Sequence, residues 1–264
     1  MIDIIIQGGM WRGTLQTANS YSNHPLVNKV VLSTWQGSSF LNGKVEDGVQ
    51  ILLNEKPDYV GPGNLNLHLL SSRRGLEQCE SDVVLKIRSD ERMSHSAIDT
   101  WVKFFNDNKD SETLRYLDGQ KQKSKIFVIA TNINFPYHPQ DHVFMGYKED
   151  LKVLFDMPFS YEPPIGPEPV DFSIKTGNLR NPIYVGSNYF SLFFEESKKH
   201  LDNWRDFLLD EAPRRQEAMD FYLQNRTSIF TPLPRVDIWW EKFNSQYWWD
   251  GYYNGGDRYA QKEE

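Results

Sequence analysis

A cation and an acid lie two residues apart where an apolar run gives way to charge. The run Asp82–Ile87 is short and rich in branched residues, which is typical of a buried parallel strand. Arg88 and Asp90 follow it, at the strand's carboxyl end, where open α/β sheets bind ligands. Both side chains would point to one side of an extended chain, where they could hold a diphosphate and its divalent metal. The alternative is an Arg–Asp ion pair that ends the strand.

Polar and aromatic side chains also follow two other predicted strands. The first strand, Asp3–Gln7, leads into Gly8, where a glycine lets the backbone approach a ligand closely. The second, Lys29–Ser33, leads into Thr34 and Trp35, which brings a hydroxyl and an aromatic ring to the same sheet edge. The glycines match neither the dinucleotide-binding spacing nor the P-loop, so a plain tight turn is the alternative.

The elements that position these residues form a repeating pattern. Strand-like and helix-like segments alternate in the first half, which predicts an α/β fold with a mostly parallel central sheet flanked by helices. Beyond residue 132 the alternation weakens, which predicts a helical and loop-rich C-terminal part, 133–264. One further strand and five helices are predicted, at Lys125–Ala130 and at Thr14–Tyr21, Asn64–Glu77, Ile98–Asn106, Ser187–Leu209 and Pro213–Asn225.

Composition excludes several classes of protein. The net charge of −7 disfavours a nucleic-acid partner. The single cysteine, Cys79, cannot form an internal disulfide, which favours a reducing, cytoplasmic location. No apolar stretch approaches the roughly 20 residues of a transmembrane helix, so we expect no such segment and leave peripheral membrane association open. Eight Trp and thirteen Tyr exceed the needs of a core this size, which indicates a surface that binds sugar rings.

Five short motifs, in this order along residues 2–155, resemble the WavE lipopolysaccharide-synthesis family of glycosyltransferases. The matching segments are Gln7-Gly8, Leu32-Ser33-Thr34-Trp35, Asn64-x-Asn66 before the helix that closes in Gly75-Leu76, Leu85-Lys86-Ile87-Arg88-Ser89-Asp90, and Asp141-His142-Val143-Phe144-Met145-Gly146 with Glu149-Asp150-Leu151. The resemblance implies a GT-A-like (Rossmann-like) fold. It implies a nucleotide-sugar-binding half at 1–132 and an acceptor-binding half at 133–264, within one compact domain.

The resemblance also implies roles for individual residues in transfer from a nucleoside-diphosphate sugar to a glycan acceptor. We expect an inverting single displacement, in polysaccharide or glycoprotein glycan synthesis, with Asp141 as the catalytic base. Asp90 would hold Mn²⁺ or Mg²⁺. Glu91 could supply a second oxygen ligand, and the alternative is a solvated surface residue. The nucleotide and its departing diphosphate would be held by Gln7, Gly8, Thr34, Trp35, Asn66, Arg74, Lys86 and Arg88.

Two departures from the family pattern limit these assignments. Arg88 stands where the family has the first acid of an Asp-x-Asp metal motif, so metal dependence is open. Leu67 and His68 stand where the family has an Arg-Gln pair, which leaves open either the donor or the register of the helix. His142 could orient Asp141, and Asp141 could instead be a strand cap. Weaker base candidates are Glu195 and Glu196.

Two other classes of function compete with sugar transfer. A sugar-phosphate nucleotidyltransferase would share the α/β half, but the glycine-containing loop after the first strand is a poor triphosphate loop. A non-catalytic carbohydrate-binding protein would use only the aromatic residues. We expect the Pro-rich stretch 162–169 and the aromatic tail with Trp248 and Trp249 to cover the acceptor. The sequence does not decide between a bacterial and a viral source.

Overall fold

The computed structural model describes residues 1–39, 43–132, 135–161, 182–201, 213–240, 245–247 and 252–253. Its strands are β1 (Ile2–Gln7), β2 (Val27–Trp35), β3 (Val49–Asn54), β4 (Val83–Arg88), β5 (Glu91–Met93), β6 (Ile126–Val128), β7 (Thr131–Asn132), β8 (Val143–Tyr147), β9 (Phe230–Pro232), β10 (Ile238–Trp240), β11 (Ser245–Tyr247) and β12 (Tyr252–Tyr253). Its helices are α1 (Thr14–Ser22), α2 (Leu65–Gln78), α3 (His95–Asn108), α4 (Lys148–Phe155), α5 (182–191), α6 (Glu195–Leu201) and α7 (Pro213–Ile229), and a 3-10 turn at Pro62–Asn64 precedes α2.

A seven-stranded sheet forms the centre, in the order β3-β2-β1-β4-β8-β6-β9. Strands β3, β2, β1 and β4 run parallel to one another, and β8 runs antiparallel to both β4 and β6. The predicted α/β fold with a mostly parallel central sheet is therefore confirmed. Because β8 is antiparallel, it begins at the edge where β1, β2 and β4 end, and this brings a later part of the chain to that edge.

The two faces of the sheet bury different sets of side chains, as the period of two along a strand requires. Ile4 and Ile6 of β1 pack in the cluster that contains α1 and α3 residues, whereas Ile5 packs in the cluster of α2 and α4 residues. Val31 of β2 and Val84 of β4 belong to the same face as Ile5. Residues an even number of positions along the same strand from Ile5, Val31 or Val84 therefore point towards α2. This rule decides which side chains at the strand ends lie on the α2 side of the sheet.

The helix predicted over Ser187–Leu209 is interrupted in the structure. Residues 192–194 separate α5 from α6. The carbonyl oxygen of Leu192 accepts a hydrogen bond from the amide of Leu117, at 2.7 Å, which replaces an intrahelical partner. Residues 202–209, the Pro-rich stretch 162–169 and both tail tryptophans, Trp248 and Trp249, lie outside the described residues, so their predicted roles are not addressed by the structure.

Helix α2 approaches the sheet so closely that one glycine is required. A Cβ at Gly75 would lie 2.7 Å from Cγ2 of Ile5. We expect Gly75→Ala to lower the free energy of unfolding by about 1–3 kcal/mol, through overpacking. Helix propensity alone predicts the opposite effect, a rise of roughly 1 kcal/mol in the free energy of unfolding.

Chemical denaturation of Gly75→Ala beside Gly9→Ala separates these effects. A Cβ at Gly9 would have no heavy atom within 4 Å, so we expect Gly9→Ala to stay within about 0.5 kcal/mol of the parent chain. A stabilised Gly75→Ala variant would show that α2 is not seated on β1 as the structure places it.

Candidate active site

Three neighbouring parallel strands end at one cavity of about 300 Å³. Gln7, Trp35 and Arg88 are the last residues of β1, β2 and β4, and all three line it. Each lies an even number of residues from the positions that pack under α2, so all three side chains point to the α2 side. The other lining residues are Gly8, Gly9, Trp11, Gly63, Asn64, Leu67, His68, Ser89, Asp90 and Asp141.

The turn after β1 gives the cavity a wall without side chains. Gly8 has a φ of 126°, and a Cβ there would lie 2.7 Å from Oγ of Ser89. Ser89 ties the turn to β4, because its amide donates to the Gln7 carbonyl at 2.9 Å and its hydroxyl donates to the Gly9 carbonyl at 2.6 Å. This geometry leaves room for a ligand to approach the backbone, and the binding role expected of Gly8 stays a prediction.

Arg88 and Asp90 form a two-point ion pair inside the cavity wall. Nε and Nη2 of Arg88 donate to the two carboxylate oxygens of Asp90, at 2.9 and 2.8 Å. Burial would lower the pKa of Arg88, but the charges of Asp90 and Glu91 outweigh it and raise that pKa. The ion-pair alternative is thus what the structure shows, and both partners still face the cavity. The guanidinium is a permanent cation here.

Asp141 reaches the cavity because it lies just before the antiparallel strand β8. The loop that carries it is fixed upstream, where Tyr137 has a φ of 53° and its carbonyl packs against Gly186 of α5, leaving no room for a side chain at that glycine. The Asp141 side chain is 16% exposed, and its Oδ1 lies 3.9 Å from Nε2 of His142. The other ring nitrogen of His142 contacts the buried carboxylate of Glu91.

The charges around Asp141 keep its carboxyl ionised. Burial alone would raise the pKa of Asp141, but nearby positive groups, Arg88 foremost, hold it well below its usual range. Lys86 lies beneath the cavity, 1% exposed, and its Nζ donates to the Asp141 carbonyl oxygen at 2.7 Å. Burial lowers the pKa of Lys86 to about 8. The site therefore combines two cations and an ionised acid.

His68, on α2, is a buried imidazole that lines the cavity and was noted in the sequence only as a departure from the family pattern. It is 6% exposed, and neither ring nitrogen has a hydrogen-bond partner among the described residues. Burial and then the charge of Lys86 lower its pKa well below the ordinary value, so the ring is neutral. No short motif marks such a residue, because its position depends on where α2 crosses the sheet.

The structure does not bring Thr34 or Arg74 into the cavity. Thr34 is adjacent to Trp35 on β2, so its side chain points to the opposite face, where Oγ1 lies 3.2 Å from Oγ of Ser38. Arg74 lies near the end of α2, where its guanidinium donates to Glu77 at 3.0 Å on the exposed surface. Neither residue supports the nucleotide-binding role expected from the sequence.

Asn66 has a structural role in the described chain. It is fully buried, and its amide donates to the carbonyl oxygens of Tyr59 and Ser160, at 3.0 and 2.9 Å. Its side-chain oxygen accepts from the Ser160 amide at 2.9 Å. These bonds join two distant loops, which gives Asn66 a structural role that requires no bound nucleotide. The adjacent cavity residue Leu67 was not predicted to bind one, and neither was Trp11, although it follows the predicted turn directly.

The acids in the cavity suit a divalent cation in part. Mg²⁺ and Mn²⁺ prefer hard oxygen donors. The Asp141 carboxylate accepts no hydrogen bond within the part of the chain that the structure describes, whereas both oxygens of Asp90 are engaged by Arg88. Outside the cavity, the side chains of Glu196, His200 and Glu217 place ligand atoms within 4.8 Å of one another. Asp141 is thus the acid with open coordination sites.

Several solved structures share parts of this fold at low sequence identity. TarS from S. aureus, in complex with UDP, is 12% identical, with a TM-score of 0.46 over 86% of this chain and 72% of that chain. The mannosyltransferase PcManGT from Pyrobaculum calidifontis, in complex with GDP-Man and Mn²⁺, is 9% identical, with a TM-score of 0.44 over 86% and 75%. A 4-diphosphocytidyl-2C-methyl-D-erythritol synthase from Anaerococcus prevotii is 12% identical, with a TM-score of 0.38 over 62% and 80%.

Sequence comparison adds no assignment. No protein-family model matches the chain, and no curated protein sequence matches it. Among the helices that the structure describes, none has the length and apolar character needed to cross a bilayer.

Proposed function

We propose that this chain is a glycosyltransferase that moves a sugar from a nucleoside-diphosphate sugar to a glycan acceptor. The observation that carries the proposal is the cavity where three parallel strands end. It combines the rings of Trp11 and Trp35, the cations of Arg88 and, beneath it, Lys86, and the ionised carboxylate of Asp141. These groups match the base, the diphosphate and the reacting centre of such a donor, in that order.

The donor would lie across the strand ends. The tryptophan rings offer apolar faces to a nucleobase. The diphosphate would lie by Arg88, whose guanidinium is fixed by Asp90 and oriented before the ligand arrives. Lys86 is buried below the cavity and would attract the diphosphate electrostatically without touching it. Both cations would stabilise the negative charge that grows on the departing diphosphate. Gln7 and Gly8 would contact the ligand along the backbone wall.

In the proposed reaction, the oxygen of an acceptor hydroxyl forms a bond to the anomeric carbon as the bond from that carbon to the diphosphate oxygen breaks. Asp141 takes the acceptor proton, and the diphosphate keeps the electron pair of the broken bond. The low pKa of Asp141 makes it a weak base in the free protein. A bound diphosphate would offset the charges of Arg88 and Lys86, so donor binding would raise that pKa.

A divalent cation fits beside this diphosphate, with Asp141 and, in part, Asp90 as its oxygen ligands. When bound, Mn²⁺ or Mg²⁺ would neutralise charge on the departing group. We place the donor in residues 1–132 and the acceptor in 133–264. The resemblance to WavE proteins further suggests polysaccharide synthesis, within the cytoplasm.

The test is a binding screen followed by product analysis. UDP, GDP, CDP and ADP, with their sugar conjugates, are screened by thermal shift with and without Mn²⁺. A ligand present at 100 times its dissociation constant adds about 2.7 kcal/mol to folding stability. We then expect release of nucleoside diphosphate from one conjugate when a glycan acceptor is present. Pyrophosphate release from a nucleoside triphosphate and a sugar phosphate would instead indicate a nucleotidyltransferase, and failure to bind any nucleotide would contradict both.

Nucleotide affinity should depend on the charge of Lys86. Burial lowers the pKa of Lys86 from its ordinary value of 10.5 to about 8, so Lys86 is charged below about pH 8 and loses its proton above it. The affinity for the best nucleoside diphosphate is therefore expected to fall as pH rises above 8, by at most about tenfold per unit. Calorimetric titrations from pH 7 to pH 10 measure this. The Lys86→Met variant should bind the nucleoside diphosphate more weakly, with an affinity that does not change over this pH range. A pH-independent affinity in the parent chain would rule out the electrostatic role of Lys86.

A further inference from the structure

We propose that His68 binds a hydroxyl group of the donor's sugar and so contributes to the choice of that sugar. This inference rests on the proposed function, since it assumes a nucleoside-diphosphate sugar in the cavity. It concerns a residue that the resemblance assigns no role, at a position where this chain departs from the family pattern.

The burial of His68 without partners is costly unless a ligand contacts it. A buried polar group that lacks a hydrogen bond costs roughly 1–3 kcal/mol. Both ring nitrogens of His68 are inaccessible to solvent and have no partner in the described ranges, although the residue lines a cavity. The edge of the ring is held against Phe155 of α4, with 5.5 Å between ring centroids and a 68° angle between planes. The imidazole therefore lies at a ligand cavity with both nitrogens unsatisfied within the described chain, and a rotation of the ring on binding would present one of them to a ligand hydroxyl.

The neutral state of His68 favours a hydroxyl over a phosphate. A neutral imidazole has one donor and one acceptor nitrogen, whereas a phosphate offers only acceptors at neutral pH. A sugar hydroxyl both donates and accepts, so it can use either nitrogen. The cations that a diphosphate requires are already supplied by Arg88 and Lys86, and the charge of Lys86 is one reason why His68 stays neutral.

The surroundings of His68 place it at the sugar end of the cavity. After burial, the charges that act on it most strongly are those of Lys86 and Asp141. Asp141, the acid proposed to act at the anomeric carbon, lines the same cavity as His68, so we place His68 at the sugar rather than at the base. Because His68 is 6% exposed, it lies too deep for a glycan acceptor, which must enter and leave through the solvent-facing rim.

The test compares bare nucleotides with their sugar conjugates. Calorimetry gives dissociation constants of UDP, UDP-glucose, GDP and GDP-mannose for the parent chain, His68→Ala, His68→Gln and His95→Ala. His95 is an exposed histidine on α3 and serves as the matched control. For the pair that the parent chain binds, we expect His68→Ala to weaken the conjugate about tenfold and the bare nucleotide less than twofold. The amide of His68→Gln should restore part of the difference.

Three outcomes would overturn the assignment. Equal weakening of nucleotide and conjugate would place His68 at the nucleotide, and no change in a folded His68→Ala variant would remove it from the ligand. Ring-nitrogen NMR of the parent chain checks this without a substitution, because the His68 signals should shift with the conjugate and not with the nucleotide. If the parent chain binds none of these four probes and none of the other nucleotides in the binding screen, the proposed function itself fails and the His68 assignment falls with it.

Discussion

Asp141→Asn should lower the rate of sugar transfer by about 10²–10⁴-fold, the usual contribution of a general base. The substitution keeps the shape of the side chain and removes only its charge and basicity. Nucleotide binding should survive, because Arg88 and Lys86 remain. In the absence of divalent metal it should even tighten, since the removed charge lies among the cations that attract the diphosphate. A loss of rate with retained or tighter binding is the signature that a purely structural acid would not give.

Steady-state assays with the donor found by the binding screen measure the rate, and calorimetry with its nucleotide measures the affinity. Asp110→Asn is the control, because Asp110 is an exposed aspartate after α3. It should leave the rate and the affinity unchanged. An Asp141→Asn variant with more than about a tenth of the parent rate would contradict the role of Asp141 as base.

Arg88→Met should lower the free energy of unfolding by about 3 kcal/mol, the lower end of the cost of breaking a buried ion pair. Asp90 and Glu91 are almost fully buried beside Arg88, so the variant leaves acids in the protein without their cation. The lower end applies because the Arg88 side chain is itself 26% exposed. The variant should also lose affinity for the diphosphate, since the cation that faces the cavity is gone.

A double-mutant cycle isolates the contribution of the ion pair. The variant Arg88→Met with Asp90→Asn should recover at least about 1 kcal/mol relative to Arg88→Met alone. As the pH falls from about 7 to about 4, the difference in the free energy of unfolding between Arg88→Met and the parent chain should shrink. Loss of the Arg88 cation raises the pKa of the neighbouring Asp90 carboxyl relative to the parent chain, so protonation of that acid costs the parent chain more than the variant. Urea denaturation at several pH values measures both the recovery in the double variant and the pH dependence of the difference between Arg88→Met and the parent chain. Purely additive single substitutions would show that Arg88 and Asp90 do not interact as the structure indicates.

Local patterns predicted the strands that build the site. The branched runs of β1, β2 and β4 were located within a few residues, and their polar ends mark the edge where Gln7, Trp35 and Arg88 meet. Strand β3 was not predicted. It is an edge strand with Leu53 46% exposed, so its pattern lacks the buried run that marks the central strands. Edge strands pair on one side only and carry a weaker signal.

Some predicted site residues lie outside the cavity, and one residue that was not predicted lies inside it. The reasons are geometric, and a local sequence pattern contains only part of that geometry. Thr34 and Trp35 are neighbours on one strand and cannot both face the same cavity. Asn66 is used by the carbonyl of Ser160, 94 residues away, a contact that no local pattern contains. His68 enters the cavity because α2 packs closely on β1 through Gly75. These features depend on tertiary packing, which a single sequence does not display.

A crystal structure of the chain with the nucleoside diphosphate that stabilises it most tests the central claim directly. We expect phosphate oxygens within hydrogen-bond distance of the Arg88 guanidinium, with the base against Trp35. A nucleotide bound elsewhere on the protein, with the Arg88–Asp90 pair facing only solvent, would contradict it.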